Sequence, residues 1–194
     1  MERLSNSCAS LRRALVLCLS LAISPLAWAD TATTQPEAAR QLRDQAVARA
    51  SELINNIRNR LDACGDKGML AAGAATSPVP ARPALQWNER LARAAHQHAS
   101  AMVEQGFFAH RNPDGTTVGD RVSERGYRWR QVGENLAAGL PTIDDAVREW
   151  LLSSTHCEVL IGPRFTEFGL AQVRSSNPGD LYGTYWALVV AQPR

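Results

Sequence analysis

Gly106-Phe-Phe-Ala-His110, Gly133-Glu-Asn-Leu-Ala137 and Trp150-Leu-Leu-Ser-Ser-Thr-His156-Cys157 all fall within residues 106–157, and the reading of that stretch decides the rest. It holds two of the four histidines, a Gly-Glu-Asn turn and a cysteine, so each third carries a polar group able to bind a metal or move a proton. The flanking segments read as scaffold. The expectation is a small exported α/β domain with one polar cleft built from His110, Glu134 and His156.

On the N-terminal side, Asn88 caps a helix over Glu89 to about Gln105 that turns Leu91, Ala94, Ala95, His98, Ala99 and Met102 to one side. Gly106 stops it. His98 falls on the buried side, where a satisfied structural histidine is expected, and His96 lies nearer the edge. Further back, Ala46, Ala50, Leu53, Ile57 and Leu61 recur at helical spacing and predict an amphipathic helix from Leu42 to near Gly65, with Cys64 at its end. Residues 65–83, rich in Gly, Ala, Ser and Pro, read as a surface loop.

On the C-terminal side, Asn112-Pro-Asp-Gly115 has turn chemistry throughout, and a short helix is expected around Gly119 to Arg125. Thr142 caps a further helix with Asp144 and Asp145 in its first turn and Ile143, Ala146, Val147, Trp150 and Leu151 on its apolar side. Phe165 to Val173 and Tyr182 to Val190 read as strands, joined as an antiparallel hairpin through Asn177-Pro-Gly179. Helices first and strands last predict a layered α/β fold with a mixed or antiparallel sheet covered by helices.

The beginning of the chain has the layout of an export signal: Arg3, Arg12 and Arg13, then an apolar run from Leu11 to Leu26, then Ala27-Trp28-Ala29. The expected organisation is a signal peptide over 1–29, a mobile leader over 30–45 and one domain over 46–194, with a periplasmic or secreted destination and no membrane span after cleavage. The whole chain is formally +2, but residues 1–29 hold three Arg and one Glu, which leaves 18 basic and 18 acidic residues beyond them. No Lys/Arg stripe suits phosphates, so a nucleic-acid partner is not expected. Cys64 and Cys157 remain after cleavage, and they have one intramolecular pairing open to them. A bridge would close a loop of about ninety residues; two free thiols are the alternative.

Three chemistries compete for the cluster. Glu134, between glycine and asparagine, can orient an imidazole from behind, or act as a base toward metal-held water. Two imidazoles would suit Zn²⁺ or another divalent ion, although two protein ligands make a weaker site than the usual three. A buried polar network that fixes loops is the third possibility. The chain has no Gly-x-Ser-x-Gly elbow, no His-Glu-x-x-His and no phosphate loop, so the familiar hydrolase arrangements lack support.

A larger pattern then emerges from Asn56-Ile-Arg58, Leu85-Gln-Trp-Asn88, Leu91-Ala-Arg-Ala-Ala95, His98-Ala99, Phe107-Phe-Ala-His110, Pro113-Asp-Gly115, Arg121, Gly133-Glu-Asn-Leu-Ala-Ala-Gly139, Val147, Trp150, Ser153, His156, Phe165-Thr-Glu-Phe-Gly169 and Tyr185-Trp186. In order and spacing it resembles a bacterial CAP or SCP domain, of the superfamily of cysteine-rich secretory, antigen 5 and pathogenesis-related 1 proteins, over about residues 50 to 191. The resemblance implies a three-layer α-β-α sandwich with a central cleft, and it places the family's two cleft histidines at His110 and His156 and its first cleft glutamate at Glu134. The second glutamate of many eukaryotic members falls on Ser153, and Glu149 is expected to face elsewhere. Members are secreted; some hold a divalent metal at the histidines, some bind sterols or other lipids, and a proteolytic role has been proposed for a few. The family shares no reaction. The expected function is therefore a non-catalytic envelope or extracellular module that binds a lipid, an envelope component or a protein through the His/Glu cleft. The alternative is a metal-assisted hydrolase or peptidase using His110, Glu134 and His156.

Overall fold

A computed structural model of the chain describes residues 31–60, 64 and 82–194. The expected signal segment and nearly all of the predicted 65–83 loop lie outside the described residues. The chain divides into units 1–39 and 40–194, and every element after the opening turns of the first helix belongs to the second. The elements are α1 (Thr31–Arg58), β1 (Gln86–Trp87), α2 (Glu89–Gln105), α3 (Val118–Glu124), β2 (Trp129–Ala138), α4 (Ile143–Leu152), α5 (Ser154–Ile161), β3 (Glu167–Arg174) and β4 (Thr184–Pro193).

The sheet runs β1-β3-β4-β2. It is mixed: β1 is parallel to β3, while β3 and β2 both run antiparallel to β4. Strand β4 reads as an unbroken apolar run because both its faces are covered. Tyr185, Ala187, Val189 and Ala191 pack with Leu91, Ala94, Ala95, Ala99 and Met102 of α2 and Val122 of α3. Trp186, Leu188 and Val190 pack with Ala50, Ile54 and Ile57 of α1, Trp150 of α4 and Leu160 of α5. The period-2 alternation of a strand thus divides one hydrophobic sequence between two cores, and the α-β-α sandwich expected from the resemblance is the observed architecture.

Local chemistry fixes the junctions. Asn88 N–H donates to Phe168 O at 2.8 Å as the last rung of β1, while the Asn88 side chain accepts from Arg90 N and Leu91 N and opens α2. One residue therefore ends a strand and starts a helix. Gly106, at φ 66, closes α2 in the left-handed region. Thr117 and Asp120 form a reciprocal capping box on α3, and Thr142 caps α4 through Asp145 N.

Helix α2 lies directly on β3 because Gly169 has no side chain. A Cβ there would stand 2.0 Å from Ala92 N and 2.3 Å from Leu91 C, both backbone atoms of α2. Gly169→Ala is expected to cost about 3 kcal/mol, at the upper end of overpacking penalties, since a helix backbone cannot rotate out of the way as a side chain can. The urea midpoint reports it; a midpoint equal to wild type would show that the two elements can separate freely.

Several boundaries depart from the sequence reading. Helix α1 begins at Thr31, so residues 31–45 of the stretch expected as a mobile leader are helical. Its Ala, Gln, Glu and Arg residues are good helix formers, but the side chains described between residues 37 and 46 are exposed and leave no apolar period to read. The helix also ends at Arg58 rather than near Gly65, where Arg60 N bonds three residues back to Ile57 O and tightens the last turn. Strand β2 and helix α5 are additions to the elements that the sequence predicts, and both carry residues of the cleft.

Candidate functional site

Strand β2 is an edge of the sheet, and its consecutive residues Glu134 and Asn135 point to opposite faces. Leu136, in phase with Glu134, joins the α2-side core, whereas Ala137, in phase with Asn135, joins the other. Glu134 thus meets the segment between α2 and α3 that carries His110, and Asn135 meets α5, whose first turn carries His156. Helix α4 breaks at Ser153, and His156, which comes after it, lies inside the next helix.

Glu134 is enclosed by donors. Its side chain is 2% exposed; Oε1 lies 2.9 Å from His110 Nδ1, and Oε2 accepts from Arg121 Nη2 at 2.6 Å. Arg121, itself fully buried, also donates to His110 O, Asn112 Oδ1 and Thr116 O, so the 110–116 segment wraps around one guanidinium. His98 completes the network from below. Its Nδ1 lies 2.8 Å from Asn112 Oδ1 and its Nε2 2.9 Å from Ala109 O, with Glu134 Oε1 at 3.8 Å. Arg121 donates to the same Asn112 oxygen, which fixes the orientation of that amide.

The proton positions follow from the partners. An ionised carboxylate only accepts, so the His110 proton sits on Nδ1 and its Nε2 is left for a ligand, on a side chain that is 58% exposed. Both Glu134 oxygens are engaged, and the side chain is buried. His156 stands within electrostatic reach of His110: burial pushes its imidazole below the ordinary value, the neighbouring His110 adds to that, and Glu149 pulls the other way. Glu149 is exposed, as expected, yet its field reaches the cleft. Asn135 Nδ2 donates to His156 O at 2.8 Å and ties α5 to the strand. Ser153 bonds Thr155 rather than a histidine, and among the described residues no serine hydroxyl pairs with His156.

The three residues named from sequence therefore sit at one edge of the sheet, with His110 and Glu134 in direct contact and His156 approaching from the opposite face. His98 is the satisfied buried histidine its helical phase predicts. The sequence assigns Arg121 and Asn135 no site role, and it reads Asn112 only as a turn residue. The available signal is polar residues at helix and strand positions that would otherwise face a core, but spacing alone does not show that an arginine on a seven-residue helix is buried.

Acid should weaken the fold. Burial pushes His156 below the ordinary imidazole value, and the neighbouring His110 adds to it. As pH falls below about 6.5, the unfolded chain takes up this proton before the folded one, so stability drops with pH until the folded-state value is passed. The melting temperature is expected to decline from about pH 7.5 to about 5, less steeply in His156→Gln. A slope in His156→Gln equal to that of wild type would assign the acid loss elsewhere.

The donor set fits a metal only in part. Among the described residues no group of three or more His, Cys, Asp or Glu side chains is placed to hold an ion. With Glu134 engaged by Arg121 and His110, only the imidazoles of His110 and His156 would be left to hold an ion, with the carboxylate behind one of them. That suits an ion completed by water and not a closed structural site.

The comparisons agree with this fold. Residues 51–190 match the CAP model, the cysteine-rich secretory protein family, and the chain belongs to that family. The uncharacterized protein YkwD of Bacillus subtilis is 29% identical over 93 residues, which cover 48% of this chain and 36% of that protein. The chain thus spans about a third of the length of that curated relative. Among solved structures, an extracellular protein containing an SCP domain from Bacillus anthracis superposes with a TM-score of 0.50 at 26% identity, over 57% of this chain and 34% of the other. An outer surface protein of Borrelia burgdorferi superposes with a TM-score of 0.51 at 21% identity, over 57% of this chain and 78% of the other, which speaks for the fold alone.

Proposed function

We propose that this chain is a non-catalytic, exported binding module, periplasmic or secreted, whose cleft around His110 and His156 receives a lipid, an envelope component or a protein. One observation carries the reading. The carboxylate of the cluster, Glu134, is buried with both oxygens engaged by Arg121 and His110, an arrangement that suits orienting an imidazole better than taking a proton from a cleft water. The description of the Bacillus anthracis relative as extracellular supports the same destination here. A divalent ion such as Zn²⁺, held by His110 and His156 with water, is compatible with the binding role and would add a charge for the ligand to meet.

A second reading, metal-assisted hydrolysis, rests on His156, whose lowered basicity keeps a neutral imidazole at the cleft at neutral pH. One set of measurements separates the two: Zn²⁺ titration by calorimetry, and peptide and ester turnover, on wild type, His110→Ala, His156→Ala and Glu134→Gln. The binding reading expects no turnover in any protein, and a metal affinity that falls about 10–100-fold in Glu134→Gln, as for loss of a group behind a ligand. Turnover in wild type that vanishes in Glu134→Gln would overturn it. Undiminished affinity in both histidine variants would place any metal elsewhere.

A further inference from the structure

We propose that the outer edge of β2 at Val132–Glu134 receives an extended peptide segment of a protein partner as an added strand. The proposal rests on the binding reading above and names the class of ligand. The hydrogen-bond phase of β2 follows from its end. Gly139 N–H donates to Thr184 O at 2.9 Å, and the register pairs Gly133 with Val190, Asn135 with Leu188 and Ala137 with Trp186. These residues therefore turn their N–H and C=O groups to β4, and the alternate ones, Val132, Glu134 and Leu136, turn theirs away from it. Trp150 of α4 gives the same phase, since its Nε1 donates to Leu136 O at 2.8 Å from outside the sheet.

Before that indole the edge is open. Strand β2 has β4 as its single neighbour in the sheet, and among the described residues no group bonds the N–H or C=O of Val132 or Glu134. Glu134 as a whole residue is 7% exposed while its side chain is 2% exposed, so the surface it shows is mainly main chain; Asn135, turned to β4, is 0% exposed. The strand holds neither Lys nor Pro, the usual guards of an edge, and its exposed Arg130 precedes the window.

The occupant follows from the pattern. Donor and acceptor recur at Val132 and Glu134 with the spacing of about 6.7 Å that another extended backbone repeats, and an acyl chain cannot answer them. Val132 and Gly133 are half-buried, with α3 packed on one face of the sheet and α5 on the other. The slot thus admits one strand, whereas the edge of a second copy would bring its own flanking helices. Side chains of directly opposed residues share a face, so the peptide residue opposite Glu134 meets the His110 side and its two neighbours meet the α5 side that carries His156.

The probes are synthetic heptapeptides chosen from a random displayed library against the oxidised protein, each then measured by calorimetry with its amides N-methylated one at a time. Strand addition is expected to show an affinity loss of about tenfold at every second amide and little change between them, because only alternate N–H groups face β2. Val132→Pro is expected to weaken the same peptides about tenfold, since proline removes an outward donor and is tolerated at an edge whose N–H points away from the sheet. In the free protein the amides of Val132 and Glu134 should exchange quickly and those of Gly133 and Asn135 slowly, and peptide should slow the first pair. Three results overturn the proposal: no selected peptide binding more tightly than about 100 μM, a methylation profile without the period of two, or slow exchange of the Val132 and Glu134 amides in the free protein, whether monomeric or dimeric. Should Val132→Pro fail to fold, the methylation profile and the exchange data decide. Metal titration and turnover judge the binding reading itself and are untouched by these results, so the two failures are told apart.

Discussion

Removing the Cys64–Cys157 bridge is expected to cost about 4–5 kcal/mol, a large share of the roughly 5–15 kcal/mol that holds a domain together. The two cysteines are 93 residues apart in sequence and 5.5 Å apart at Cα, so the reduced unfolded chain regains nearly the whole entropy of a long loop. The bridge joins the chain beyond α1 to Cys157, which is fully buried on α5 beside His156, so the loss should also loosen the helix that presents the second cleft imidazole. Cys64→Ala with Cys157→Ala is the variant of choice, because serine would add a buried hydroxyl of its own. Urea midpoints for oxidised wild type, reduced wild type and the double variant should place the last two together and well below the first. A double variant within about 1 kcal/mol of oxidised wild type would show that the bridge constrains nothing the rest of the fold does not already hold, against the loop-entropy account.

The elements legible in the sequence are those whose residues all serve packing. Helices α2 and α4 present an apolar stripe to one layer and polar groups to solvent, and β4 is apolar on both faces because it lies inside the sheet. Strand β2 does not read as a strand because Gly133, Glu134 and Asn135 occupy its centre, where β-branched or aromatic residues would be expected. They are there for the site: Glu134 and Asn135 serve the two histidines, and a Cβ on Gly133 would press within 3.2–3.3 Å of Phe165, Val190 and Val159. Helix α5 is hard to read for a related reason. Its cap residue, Ser153, makes no side-chain capping bond, and its eight residues carry only two buried side chains, Cys157 and Leu160.

The same logic explains what is half-legible at the site. The sequence marks Glu134 as an odd place for a carboxylate, but the choice between base and orienting group depends on what surrounds its oxygens. Those partners come from α2, the following loop and α3, and only the fold brings them together. The pair Phe107 and Phe108 reads as an anchor for the chain before His110; Phe107 packs into the α2-side core, while Phe108 is partly exposed and rests against Tyr182 and Tyr185. An aromatic pair in sequence does not say which ring turns inward.

Arg58→Met is expected to destabilise the domain by about 3–5 kcal/mol, the cost of leaving several buried carbonyls without donors. Arg58 is the last residue of α1 and is 1% exposed. Its guanidinium donates to Leu160 O at 2.7 Å and Gly162 O at 3.1 Å at the end of α5, to Pro83 O at 3.1 and 2.9 Å, and to Phe165 O at 3.0 Å. Every partner is a backbone carbonyl. Burial pushes the arginine down to about 10, still far enough above neutrality to keep its charge, and that charge sits where the carbonyl end of a helix is negative. One planar fork therefore ties the end of α1, the chain entering β1, the end of α5 and the start of β3. Methionine keeps the apolar stem and removes all five donations, whereas Arg58→Lys offers a compact head that cannot reach four carbonyls in that plane. Lysine should recover less than half of the loss. Urea denaturation of the three proteins measures it, and a lysine variant equal to wild type would show that the positive charge, rather than the fork of hydrogen bonds, is what this junction requires.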